Sequence, residues 1–146
     1  MFQKEYELWT EELNAIAESY DALAGEELAQ KLAHSLEKRE RLLKLLSMNL
    51  YDMEANSRLE RLAEFKVAYG CSIKAVIQCL EKFCPSMTPK DRQDFIYSFF
   101  PFICGIYPYA FATEKQIKAM EAAGMKYTQM SVYEIAYTCA KKLLNK

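Results

Sequence analysis

At 146 residues the chain is long enough to bury one core without disulfides or metals to staple it. Its 51% hydrophobic and 27% charged content is that of an ordinary globular domain and excludes wholesale disorder. The formal net charge of −1, from 19 basic and 20 acidic side chains, excludes DNA binding by this chain alone, because nucleic-acid readers neutralise phosphates with Lys and Arg.

Seven helices are predicted, in the following order. The first covers about residues 2–20, with Tyr6, Leu8, Trp9, Leu13 and Ile16 apolar. Several acids in residues 1–14 stand where the apolar core of an export signal would lie, so a cytoplasmic location is expected. A second helix follows Gly25, with Leu28, Leu32 and Leu36 at steps of four. The third, about 40–54, carries Leu42, Leu43, Leu45, Leu46 and Leu50 on more than one side, which predicts deep burial. The fourth runs from Ser57 to Cys84 and stops at Pro85. The fifth starts at Thr88, bends at Pro101 and ends near Pro108. The sixth, about 114–123, ends at Gly124, a residue suited to a left-handed C-cap. The seventh, about 131–144, shows Val132, Ile135, Ala136, Cys139 and Leu143 on one face.

Four capping boxes support these starts: Ser57 with Glu60, Thr88 with Asp91, Thr113 with Gln116, and Ser131 with Glu134. In each, a hydroxyl and a side chain three residues on satisfy each other's orphan backbone N–H groups. Pro89 at the first helical position reinforces the second box. No segment alternates as a strand does. The expected fold is all-α, a single helical-bundle domain over 1–146.

Residues 95–112, FIYSFFPFICGIYPYAFA, contain no charge. The run reaches the length of a membrane span, but Pro101, Gly105 and Pro108 interrupt it and its aromatic rings lie in the middle rather than at the ends. A membrane span is therefore not expected. The uncharged aromatic surface fits a core, a pocket wall or an interface.

Chemistry is sparse. The five cysteines are odd in number and form no CxxC pair, and His34 is the only histidine, so neither a structural zinc site nor a disulfide framework is expected. Scattered cysteines in apolar helices act as small buried hydrophobes in a reducing compartment. No nucleophile-elbow, zincin, P-loop or dinucleotide-binding motif occurs. Asp52 and Glu54 lie two apart and point to different helix faces, so they make no acid–base pair. Neither catalysis nor a cofactor is expected. What remains is aromatic and apolar surplus: Trp9, Met48, Tyr51, Phe65, Tyr69, Phe95, Phe99 and Phe102, from four helices, either line one cavity or simply fill a core.

Several phrases carry a family likeness: EYELWTEELNAI with Trp9, RERLLKLLSMNLYDMEAN at 39–56, EFKVAYG at 64–70, the MTPKDRQDF helix start and GIYPYA at 105–110. In these the chain resembles, over essentially its whole length, the C-terminal regulatory domain of TetR-family transcriptional regulators. A complete member begins with a helix-turn-helix DNA-binding domain, to which nothing here corresponds. A fragment of a longer regulator is expected rather than a protein lacking its DNA reader.

The resemblance implies a repressor's ligand-sensing and dimerisation domain, with DNA reached only through a helix-turn-helix domain not present in this chain. The implied partners are a second copy and a small lipophilic or aromatic effector. The implied ligand contacts are Trp9, Leu13, Met48, Tyr51, Asp52, Phe65, Tyr69, Phe95, Phe99 and Phe102, with Asn49 as a further polar contact. The fifth and seventh helices would meet their copies through Phe100, Ile103, Tyr107, Val132, Ala136, Cys139, Ala140 and Leu143. The alternative is a helical protein–protein interaction module with a filled core and no small-molecule ligand.

Overall fold

A computed structural model describes residues 2–145. Nine helices follow one another among the described residues: α1 (Phe2–Ser19), α2 (Gly25–Glu37), α3 (Glu40–Met48), α4 (Leu50–Asn56), α5 (Leu59–Phe83), α6 (Pro89–Ile103), α7 (Ile106–Ala110), α8 (Glu114–Ala122) and α9 (Val132–Leu144). The fold is all-α, as expected, with no strand among the described residues.

The count of nine corrects seven in two places. The helix expected over 40–54 breaks at Asn49, whose φ of −123° and ψ of −8° leave the helical region. The fifth predicted helix breaks into α6 and α7 at Cys104 and Gly105. There Pro101 donates no N–H, and Cys104 and Gly105 turn back to the Pro101 and Phe102 carbonyls at 3.2 and 3.0 Å.

Three of the four capping boxes form, at Thr88, Thr113 and Ser131. The box expected at Ser57 does not: Ser57 closes α4 as its C-cap, and Arg58 takes the N-cap of α5 without a side-chain cap bond. Gly124 has φ +78° just after α8, the left-handed value that only glycine adopts without strain.

Two long pairings organise the bundle, the first parallel, with Phe2 beside Phe65 and Leu13 beside Cys79, and the second antiparallel, with Glu26 bonded to Tyr137 and His34 stacked on Tyr133. α1 lies along α5 and α2 along α9, the two most extensive helix contacts in the molecule. α1 turns Phe2, Tyr6, Trp9, Leu13 and Ile16 inward at steps of three and four. The Cys79 thiol of α5 reaches the Leu13 carbonyl at 3.6 Å, and the Lys82 ammonium donates to the Ala17 carbonyl in the last turn of α1. In the second pairing, Ala29 and Ala33 of α2 and Ala136 and Ala140 of α9 are all buried, and side chains this small suit closely packed helices. Trp9 joins the pairings: its indole Nε1 donates to Ser35 Oγ at 2.9 Å, and Ser35 donates to the Leu32 carbonyl at 2.7 Å. α8 stands apart, with no buried residue and no extensive packing on any other helix.

Candidate ligand cavity and outer groove

A cavity of about 530 Å³ opens between α1, α4, α5 and α6, within the range of about 300–1,000 Å³ usual for small-molecule sites. Helical spacing explains its walls. On α5, Phe65, Tyr69, Ile73 and Ile77 recur at steps of four and form one side. On α6 and its C-cap, Ile96, Phe100 and Cys104 do the same opposite them, while Phe95 and Phe99 turn away into the core. Tyr6 of α1 closes one end. The space exists because α5 lies closely along α1 but meets α6 much less extensively.

The rim is charged but balanced. Lys66 pairs with Glu54 at 2.6 Å, and Arg92 reaches Glu81 at 3.9 Å. The Lys66 ammonium also sits over the Phe65 and Tyr69 rings, 5.3 and 5.1 Å from their centroids. Inside the rim stand neutral groups. Burial pushes the Tyr6 phenol far above its ordinary range, with Cys104, Tyr69 and Glu54 adding to the shift. Burial, then Cys104, raises Tyr69; burial, then Glu54, raises the Cys104 thiol. All three therefore remain protonated donors at neutral pH.

A second, larger groove of about 950 Å³ lies between the end of α6, α7, α8, residues 125–130 and α9. Phe102, Ile106, Tyr109, Ile135 and three methionines, Met120, Met125 and Met130, line it. One wall is α8, which buries nothing, so this groove is a shelf on the outside of the bundle rather than a space within it.

The structure divides the residues singled out from the sequence. Phe65 and Tyr69 line the inner cavity, and Phe102 lines the outer groove. Trp9, Leu13, Phe95 and Phe99 are placed otherwise: neighbouring side chains enclose them completely or nearly so, and they border neither space. Met48 and Tyr51 face outward, 65% and 86% exposed, with Asp52 and Asn49 exposed beside them. The break at Asn49 turns this stretch away from the cavity, leaving Leu50 and Glu54 to face it.

The residues expected at a dimer contact need a similar correction. Phe100 faces the cavity. Ala136 and Ala140 have no exposed surface and Val132 almost none, α9 being packed along α2, and Ile103 at the end of α6 is likewise fully buried, so they cannot touch a second copy in this arrangement. Tyr107, Cys139 and Leu143 are half-buried. The sequence reading missed Tyr6, Ile96, Cys104 and the two rim ion pairs. Tyr6 was detectable in principle, one turn before Trp9 on the inner face of α1.

His34 is exposed, pairs with Glu37 at 2.7 Å and stacks on Tyr133 at 4.2 Å, away from both spaces. Among the described residues no group of three or more His, Cys, Asp and Glu is placed to hold a metal ion, and no helix is long and apolar enough to cross a membrane. All five cysteines are free thiols.

Comparison with known families gives a match over residues 3–138 to the family described as tetracyclin repressor-like, C-terminal domain. No curated protein and no solved structure matches the chain.

Proposed function

We propose, from the premise that this chain belongs to the tetracyclin repressor-like C-terminal-domain family, that it is the effector-sensing and dimerising domain of a transcriptional repressor. Its effector is small and lipophilic or aromatic, and its site is the cavity between α1, α4, α5 and α6. DNA is reached through a helix-turn-helix domain outside this sequence, and the regulator works as a homodimer in the cytoplasm. The domain acts by binding, not by catalysis. The single observation that carries this reading is the cavity itself: about 530 Å³ of mostly apolar and aromatic wall inside a helical bundle of this family.

Sensing requires that the effector bind one arrangement of the helices better than another, since equal affinity for both shifts nothing. α1 is suited to report the difference, because it contributes Tyr6 to the cavity and bonds to α2 through Trp9 and Ser35. The outer groove favours a second reading, a protein-interaction module, because its apolar shelf is larger than the inner cavity.

Native mass spectrometry of the purified chain separates the two. The expected result is a mass near twice 17.0 kDa, with small apolar compounds retained as adducts by the chain and lost from an Ile73→Trp variant that fills the cavity. A monomer that retains no such compound would overturn the proposal in favour of the interaction module.

A further inference from the structure

The inner cavity holds one feature that its apolar character does not explain. Tyr6 is only 2% exposed, yet its hydroxyl makes no hydrogen bond among the described residues. A hydroxyl without a protein partner is open to water or to a guest that enters the cavity. Tyr6 is itself a lining residue of the cavity, and Cys104, Tyr69 and Glu54, the groups that act on its phenol, line the same space. The Tyr6 and Tyr69 rings meet edge to face at 5.6 Å, which fixes the direction of the Tyr6 side chain.

The charges around this point restrict what can meet it. Both carboxylates and both cations of the rim are already matched, Glu54 with Lys66 and Glu81 with Arg92. A charged guest would have to give up water and break one of these pairs to find a counter-ion. A neutral guest leaves both pairs intact. The Cys104 thiol is already spent on the Phe100 carbonyl at 3.6 Å, which leaves the phenols of Tyr6 and Tyr69 as hydroxyls able to donate to an acceptor on a guest.

Resting on the reading of this cavity as the effector site, we infer that the effector is an uncharged, largely apolar or aromatic molecule carrying a hydrogen-bond acceptor such as a carbonyl, and that the Tyr6 hydroxyl anchors it. The anchor is also a handle on the fold. Tyr6 lies one turn from Trp9, whose indole is bonded to Ser35 of α2, so an acceptor held at Tyr6 acts on the junction of α1 and α2 and not only on the cavity wall.

The test uses two probes of the same shape, methyl naphthyl ketone and ethylnaphthalene, with naphthoate as the charged comparison. Each is titrated into the wild-type chain and into Tyr6→Phe and Tyr69→Phe by calorimetry. The wild-type chain should prefer the ketone over the hydrocarbon by roughly three- to tenfold, the effect of one net hydrogen bond. Tyr6→Phe should abolish this preference by weakening ketone binding alone, while Tyr69→Phe keeps it. The infrared carbonyl stretch of the bound ketone should move to lower frequency in the wild-type chain and not in Tyr6→Phe.

Equal binding of ketone and hydrocarbon by the wild-type chain, or a preference surviving Tyr6→Phe, would overturn the anchor while leaving the cavity as an effector site. Tighter binding of naphthoate than of the ketone would overturn the uncharged class. Failure of every probe to bind would overturn the anchor together with the effector-site reading.

Discussion

Ser35 has no exposed surface and serves two partners, accepting from the Trp9 indole at 2.9 Å and donating to the Leu32 carbonyl at 2.7 Å. Ser35→Ala would leave the indole N–H buried without an acceptor, which costs about 1–3 kcal/mol. Urea unfolding followed by circular dichroism should show that loss as a lower midpoint with an unchanged slope. Other buried groups set a dependence on pH. Burial pushes the Cys79 thiol from its ordinary 9.0 up to about 11, and it raises Tyr6, Tyr69, Cys84, Cys104 and Cys139 in the same direction. These groups are neutral when protonated, and the folded chain holds their protons more tightly than the unfolded chain. The Cys79 contribution to stability is therefore complete below about pH 9.0 and is lost as the pH rises through about 11, and the other groups add losses of the same sign in alkaline solution. Thermal melts between pH 7 and 11 should show a falling midpoint that begins near 9, with Cys79→Ala flattening part of the slope.

At the scale of a helix, the three capping boxes have the same chemistry and different consequences. Thr88 and Ser131 start α6 and α9, which bury Phe95, Ile96, Phe99, Val132, Ala136 and Ala140. Thr113 starts α8, which buries nothing. Removing a cap hydroxyl costs about 1 kcal/mol of local helix stability. Thr88→Ala and Ser131→Ala should lower the global midpoint by that amount, because their helices unfold only with the core. Thr113→Ala should leave the midpoint unchanged and instead speed amide exchange across α8. The caps were readable in the sequence because punctuation of this kind is local: a hydroxyl, a partner three residues on, a proline or a glycine. Ser57 shows where that reading ends. Its pattern was complete, but the tight passage from α4 to α5 uses Ser57 to close the earlier helix and moves the start of the next to Arg58. The break at Asn49 had no proline or glycine to announce it.

For the molecule as a whole, periodicity identified which side of each helix turns inward but not what it meets there. Phe99 and Phe100 are adjacent residues of one type; a rotation of about 100° between neighbours sends Phe99 into closed packing and Phe100 to the cavity wall. The decision lies in the distance between α5 and α6, which depends on how α1 and α9 engage their own partners and is written in no single segment. For the same reason Ala136 and Ala140 read equally well as a contact with a second copy and as the seat for α2 that they are. One consequence is optical. Trp9 is the chain's only tryptophan, is sealed from solvent, and touches two rings of the cavity wall, Phe100 at 5.6 Å and Tyr6 at 6.5 Å. All indole emission thus comes from one point just behind the wall, so the protein carries its own unlabelled gauge of whether the space is filled.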